Sequence, residues 1–241
     1  VSSRKIGQSF YLVANKNIYY DPGQEIEEPR PLYRDTAVQE GFVEIDYPEI
    51  RCFPGFVEPS YLIVAGLNLD RPDEKASVSS YLGSGQNIYA SSKNLYIAVT
   101  SYHYDTRKDL SGVLPGPRPP AAINSTKVYK FEMKDGDLTY AGSGEAPGSI
   151  LNQFSMDEYN NFFRIATTQG ESWRSDEFTS KNNLYVLDND LKITGKIEGI
   201  APGEKIYSVR FLGDRAYMVT FKSVDPFFVL DLSDPQRPGI L

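Results

Sequence analysis

The chain has 241 residues, of which 40% are hydrophobic and 13% aromatic, enough for a real core in one large all-β domain or two smaller ones. Its formal charge of −7 argues against an electrostatic footprint for nucleic acid or anionic lipid, and no apolar run approaches a membrane span. With one cysteine, Cys52, and one histidine, His103, an intrachain disulfide and a zinc or copper site of the usual ligands are excluded.

Seventeen Tyr and thirteen Phe against three Met and one Trp favour strands over helices. Short strands are predicted over 10–14, 61–67 and 76–82, the second, third and fourth members of a quartet whose first strand is absent. A long insertion, 20–59, dense in Pro, Glu and Arg, separates the first two. It carries Cys52, expected to be a half-buried small hydrophobe. A second quartet follows at 87–90, 94–101, 126–133 and 138–142. Its insertion, 104–125, holds Leu114-Pro115-Gly116-Pro117-Arg118-Pro119-Pro120, which is extended and cannot be a central strand.

The third quartet is predicted over 152–156, 162–168, 183–188 and 191–197, with Asn160-Asn161 as its first hairpin turn. Its insertion, 170–181, carries the single Trp. The last begins with 205–211, where apolar and polar residues alternate as in a strand with one buried face. Gly213-Asp214 makes a tight turn into 216–221. Asp225-Pro226 ends that strand, and 227–232 follows. The chain reaches Leu241 where a fourth strand is expected to begin.

These quartets recur with a weak internal repeat. Gly83-Ser84-Gly85 returns 59 residues later as Gly142-Ser143-Gly144, and Pro147-Gly148 returns 55 residues later as Pro202-Gly203. Each is expected to be a turn that ends a copy. Such a period built from strands indicates a β-propeller of four-stranded antiparallel blades. Residues 1–241 are expected to form one domain or fragment, with blades over about 1–82, 86–144, 150–199 and 204–241. That is three and a half to four blades. A propeller ring needs at least four, so the chain is expected either to belong to a larger propeller or to form a homodimer through open ends. All three insertions join second to third strands, which places them on one face, where function concentrates.

Three longer strings carry a family resemblance: 152–168 (Asn-Gln-Phe-Ser-Met-Asp-Glu-Tyr-Asn-Asn-Phe-Phe-Arg-Ile-Ala-Thr-Thr), 200–211 and 225–235. Together they resemble bacterial and archaeal secreted proteins with a C-terminal β-propeller domain distantly related to WD-40 repeats. The resemblance implies a propeller that continues past Leu241 and a secreted or cell-surface location. It implies no activity and no catalytic residues.

The search for chemistry yields little. His103, in Ser101-Tyr102-His103-Tyr104-Asp105, has no Gly-x-Ser-x-Gly elbow to accompany it. Asp188-Asn189-Asp190, Asp135-Gly136-Asp137 and Asp157-Glu158 are acidic turns. None matches the calcium loop with its terminal Glu, and Asp and Asn stabilise such turns unaided. No cofactor is predicted, although calcium, which needs only oxygen ligands, stays open. Asp157 and Glu158 sit at a hairpin on the rim, where a structural role is favoured over glycoside chemistry.

Two aromatic groups remain as candidate contacts for a ligand or partner. One is Trp173 with Arg174, where the Trp anchors a partner or pins its own loop. The other is Tyr102, His103 and Tyr104. The leading expectation is therefore a non-catalytic extracytoplasmic binding or scaffold module that holds a protein or glycan on its long-loop face. The alternative is an extracellular hydrolase or lyase on polysaccharide or peptide, with acids near the propeller axis.

Overall fold

The computed structural model describes residues 1–18, 30–53, 58–104, 122–222 and 225–241, without the side chains of 103, 104, 122 and 123. It is built almost wholly of strands. The first sheet contains β1 (Ser2–Ile6), β2 (Ser9–Asn17), β5 (Ile50–Cys52), β6 (Ser60–Asn68) and β7 (Ser77–Leu82), in the order β1-β2-β6-β7-β5. Between β2 and β5 lie the paired short strands β3 (Leu32–Tyr33) and β4 (Val43–Glu44). The second sheet orders β8 (Asn87–Ala90), β9 (Asn94–Tyr104), β10 (Ala122–Lys134) and β11 (Asp137–Pro147) consecutively.

The third does the same with β12 (Met156–Tyr159), β13 (Phe162–Gln169), β14 (Lys181–Leu187) and β15 (Ile193–Ile200). The fourth repeats it with β16 (Lys205–Leu212), β17 (Arg215–Phe221), β18 (Phe227–Asp231) and β19 (Gly239–Ile240). Up-and-down meanders of this kind are propeller blades.

Several expectations are corrected. The first blade has its first strand: β1 pairs with β2 from Ser2↔Val13 to Ile6↔Ser9. Its Ser-Ser-Arg-Lys-Ile sequence is too polar to register as a strand, because β1 is an edge and mostly exposed. The insertion 20–59 supplies a fifth strand, β5, which runs parallel to β7. Cys52 lies on that edge and is exposed, not half-buried. In the third blade the first strand starts at Met156, because the Asn152 side chain accepts from the Phe154 amide and closes a 3-10 turn over 153–155. Side chains of this type divert backbone from strands into local turns.

The Gly-Ser-Gly repeat is also redrawn. Gly142-Ser143-Gly144 lies inside β11 and ends nothing. Gly144 is there for close approach: a Cβ would run into the Leu191 carbonyl oxygen. The positions equivalent by hydrogen bonding are Gly83, Gly148 and Gly203. Each donates its amide to the carbonyl of a residue at or near the start of a third strand: Ser60 at 2.7 Å, Asn124 at 2.8 Å and Ser180 at 2.8 Å. All three glycines have positive φ.

The chain divides into two compact units, residues 1–97 with 130–141 and residues 98–129 with 142–241. In the first, Phe53 stacks on Tyr81 at 4.7 Å, and Phe131 meets Tyr81 edge-on at 5.5 Å. Those rings pack beside Tyr140, within reach of the buried Leu62 and Val64 strand. Aromatic burial of this kind dominates core energetics. In the second, Ala166, Leu184 and Val186 from one sheet face Val209, Met218 and Leu230 from the next. Along β17 these positions alternate with more exposed ones, the period-2 pattern that set the strand predictions, whereas in β16 a bulge between Ile206 and Ser208 puts the buried Ile206 and Val209 three residues apart.

Arg164 crosses the same junction. It is 3% exposed, binds Asp157 of its own hairpin, and donates to the Gly213 carbonyl at 2.6 Å. Its guanidinium also lies over the Tyr159 and Phe211 rings, at 5.0 and 5.1 Å. Asp157 is thus a structural partner to a buried cation.

Candidate functional site

In a four-stranded meander the end of strand two, the start of strand three, the end of strand four and the following connection lie at the same end. In the second unit this end bears a pocket of about 210 Å³. Tyr102, at the end of β9, and Asn124, at the start of β10, reach it from one blade. Ser149, Ile150 and Leu151 come from the connection after β11. Thr168, Gly170 and Glu171 come from the end of β13, and Lys205 and Ile206 from the start of β16.

A side-chain network holds these ends where the sheet ladders stop. Ser149 and Thr168 form an isolated antiparallel bridge, with amide bonds of 2.9 and 2.8 Å in both directions. Asn124 Nδ2 donates to Ser149 Oγ at 3.0 Å and to the Thr168 carbonyl at 3.3 Å. Thr168 Oγ1 donates to Asn182 Oδ1 at 2.8 Å and accepts from the Ile206 amide at 3.2 Å. Asn182 in turn donates to the carbonyls of Ile200 and Glu204. Connected side-chain networks of this kind rigidify a site.

Two features face outward from that frame. Tyr102 is 57% exposed. Glu171 and Lys205 form an ion pair at 3.0 Å, both partly exposed; surface pairs of this kind contribute about 0–1 kcal/mol to stability. Asn124 is only 8% exposed, and its Oδ1 accepts no hydrogen bond. The Thr168 carbonyl can only accept, so it fixes which end of the amide points inward.

Two residues beyond Glu171, a second pocket is lined by Trp173, Arg174, Ser175 and Asp176. Here the two alternatives for the Trp–Arg pair separate. Arg174, its side chain 8% exposed, is the pin: it lies between Trp173 at 5.4 Å and Phe178 at 5.2 Å, and its Nε donates to Asp176 at 2.9 Å. That hydrogen bond holds the Asp176 carboxyl at about 2, well below its ordinary 3.8. The same bond raises the Arg174 pKa. Trp173 itself remains 65% exposed.

Of the residues expected to make contacts, Tyr102 borders the first pocket, and Trp173 and Arg174 border the second. The side chains of His103 and Tyr104 lie outside the described residues, as does the Pro-rich stretch within 105–121. Sequence reading missed Asn124, Ser149, Glu171 and Lys205. Their signal was weak, because single polar residues at strand ends look like ordinary turn chemistry.

Two of the three acidic segments are turns, at 135–136 and 189–190, whereas Asp157 and Glu158 lie within β12, paired with Arg164 and Phe163. Asp188 Oδ1 accepts from the amides of Asp190 at 3.0 Å and Lys192 at 2.9 Å. Among the described residues no three His, Cys, Asp or Glu side chains gather as a metal site. No helix among them is long and apolar enough to cross a membrane.

Consecutive antiparallel up-and-down meanders, the first three with an insertion between second and third strands, define a β-propeller protein. A family profile described as a Beta propeller domain matches residues 1–241, and the chain belongs to that family. An uncharacterized protein of Methanocaldococcus jannaschii is 52% identical over 120 residues, which is 49% of this chain and 18% of that protein. An uncharacterized protein of Archaeoglobus fulgidus is 46% identical over 119 residues, 49% of this chain and 17% of its own length. The aligned stretch thus spans less than a fifth of each relative.

Proposed function

We propose that this propeller is a non-catalytic extracytoplasmic binding module whose insertion-bearing blade ends hold a protein or glycan. One observation carries the reading. In the second unit, exposed Tyr102 and Trp173 border two pockets joined by a single short segment, over a frame of buried side-chain hydrogen bonds. Rigid aromatic anchors on a pre-organised surface are the usual centre of a binding site. The extracytoplasmic element rests on the resemblance of 152–168, 200–211 and 225–235 to secreted propeller proteins.

The test is retention of the purified chain on a cell-envelope fraction of the source organism. Tyr102→Ala and Trp173→Ala should each weaken retention by about fivefold or more, as expected for anchors worth above 1 kcal/mol, with unchanged circular dichroism. Turnover of a glycan or peptide by the chain, abolished by one acid substitution, would replace this reading with an enzymatic one.

A further inference from the structure

We infer that the 210 Å³ pocket beside Tyr102 is a subsite for one neutral pyranose ring. The inference rests on the binding reading above and narrows its ligand. Size is the first argument. The pocket is small, at about 210 Å³. It falls below the 300–1,000 Å³ typical of sites that enclose drug-sized ligands. A single small ring fits that space, whereas a helix or a folded peptide turn does not.

Charge is the second argument. The basic group at the pocket, Lys205, is already paired with Glu171 at 3.0 Å. A bound anion would have to compete with Glu171 for the ammonium, and a bound cation with Lys205 for the carboxylate. The ligand with least conflict carries no net charge. Hydrogen-bonding capacity is the third. The site offers acceptors: the Glu171 carboxylate at the rim and, in the wall, the buried Asn124 Oδ1 that receives no donor. A ligand that supplies several O–H donors matches them, and Asn124 is the costly one to leave unmet, at roughly 1–3 kcal/mol for a buried unsatisfied group.

The remaining wall is apolar. Tyr102 offers an exposed ring, with Leu151 and Ile206 beside the pocket. A pyranose combines the two requirements, since its hydroxyls radiate from a ring whose C–H face stacks on an aromatic side chain. Tyr102 would act as the stacking platform, and Glu171 as a hydroxyl acceptor at the rim.

The experiment is saturation-transfer NMR on the 241-residue chain with methyl β-D-glucoside, methyl β-D-galactoside, methyl α-D-mannoside and N-acetylglucosamine at millimolar concentration. At least one should receive saturation at its ring C–H protons. Tyr102→Ala should weaken that binding by about 3- to 10-fold, the range for loss of an aromatic contact. Glu171→Gln, which keeps the shape of the exposed side chain, should weaken it without changing the melting temperature by more than a degree or so, as for most surface changes.

Absence of transfer to all four sugars overturns the inference. If envelope retention then still depends on Tyr102 and Trp173, the binding reading stands with a different ligand class. If retention is also insensitive to both residues, that reading falls as well. Sugar binding that survives Tyr102→Ala and Glu171→Gln also overturns it, because the ring would then sit elsewhere.

Discussion

Gly148 and Gly203 occupy equivalent positions, so their alanine variants separate two causes of strain. Both have positive φ, 95° and 87°, and both donate to a carbonyl near the start of a third strand. An L side chain in left-handed backbone costs roughly 1–2 kcal/mol. Around Gly203 there is room for a methyl group, with the nearest atom at 3.7 Å, so Gly203→Ala should cost only that. A Cβ at Gly148 would lie 2.8 Å from Thr167 Oγ1 and 2.9 Å from the Thr168 carbonyl. Overpacking adds about 1–3 kcal/mol, bringing Gly148→Ala to about 2–5 kcal/mol.

The assay is urea denaturation followed by circular dichroism, read as a midpoint shift at constant slope. Both glycines lie in the second unit, so one transition reports on both. Gly148→Ala should also disturb the Ser149–Thr168 bridge and hence the pocket. At about 2–4 °C per kcal/mol for a domain of this size, it should melt some 2–12 °C below Gly203→Ala. Equal losses would refute the steric argument, since they would mean that local space, which differs at the two sites, does not matter.

Three further outcomes are expected. Asp157→Ala leaves Arg164 buried without its carboxylate and should cost about 3 kcal/mol, the low end of the range for broken buried pairs, because Asp157 keeps a fifth of its surface. Adding Arg164→Met should recover part of that loss in the same melt. A carbon-13 titration of Asp176 should show a midpoint near 2, returning towards 3.8 in Arg174→Ala. A depressed carboxyl pKa stabilises the fold above the unfolded value, so order in 170–181 should be lost as pH falls from about 4 through about 2. Tyr185 is raised above 10, first by burial and then by its hydrogen bond to Glu198. Its contribution is complete below pH 10 and is lost as pH rises beyond it, so Tyr185→Phe should flatten the alkaline limb of the stability curve.

Much of the fold was legible because two-residue turns mark strand ends unambiguously. Asn160 and Asn161 both take positive φ, 52° and 64°, and join Tyr159↔Phe162 as a tight hairpin. Gly213-Asp214 does the same between Leu212 and Arg215. Strand edges were less legible. β1 buries too little to show alternation, and the strand predicted over 183–188 starts at Asn183 and omits Asn182, although both are buried within β14. Their polarity serves the cross-strand network, with Asn183 Oδ1 accepting from the Gly199 amide, and hydrophobic patterning is blind to that purpose. The pocket was half legible. Tyr102 and Trp173 stood out as aromatics in polar surroundings, whereas Asn124, Ser149, Glu171 and Lys205 converge only once three sheets have folded.

The two ends of the blades differ in how they are closed, and that difference bears on where function can reside. At one end β12–β13 and β16–β17 turn within two residues, and side chains brace the short turns there, Arg164 on the Gly213 carbonyl and Asp188 between β14 and β15. At the other, ladders give way to side chains that take over backbone groups: Thr167 Oγ1 on the Pro147 carbonyl at 2.6 Å, Thr126 Oγ1 on the Gly148 carbonyl at 2.7 Å, and Asn182 Nδ2 on the Ile200, Ala201 and Glu204 carbonyls. These bonds fix the strand ends without fixing the path of the chain between strands two and three. Insertions of different length can therefore be carried there while the sheet below keeps its register. A surface that must vary its contacts over a constant frame belongs at that end. The tight-turn end, where an added residue would slip the pairing and turn buried faces outward, has no such freedom.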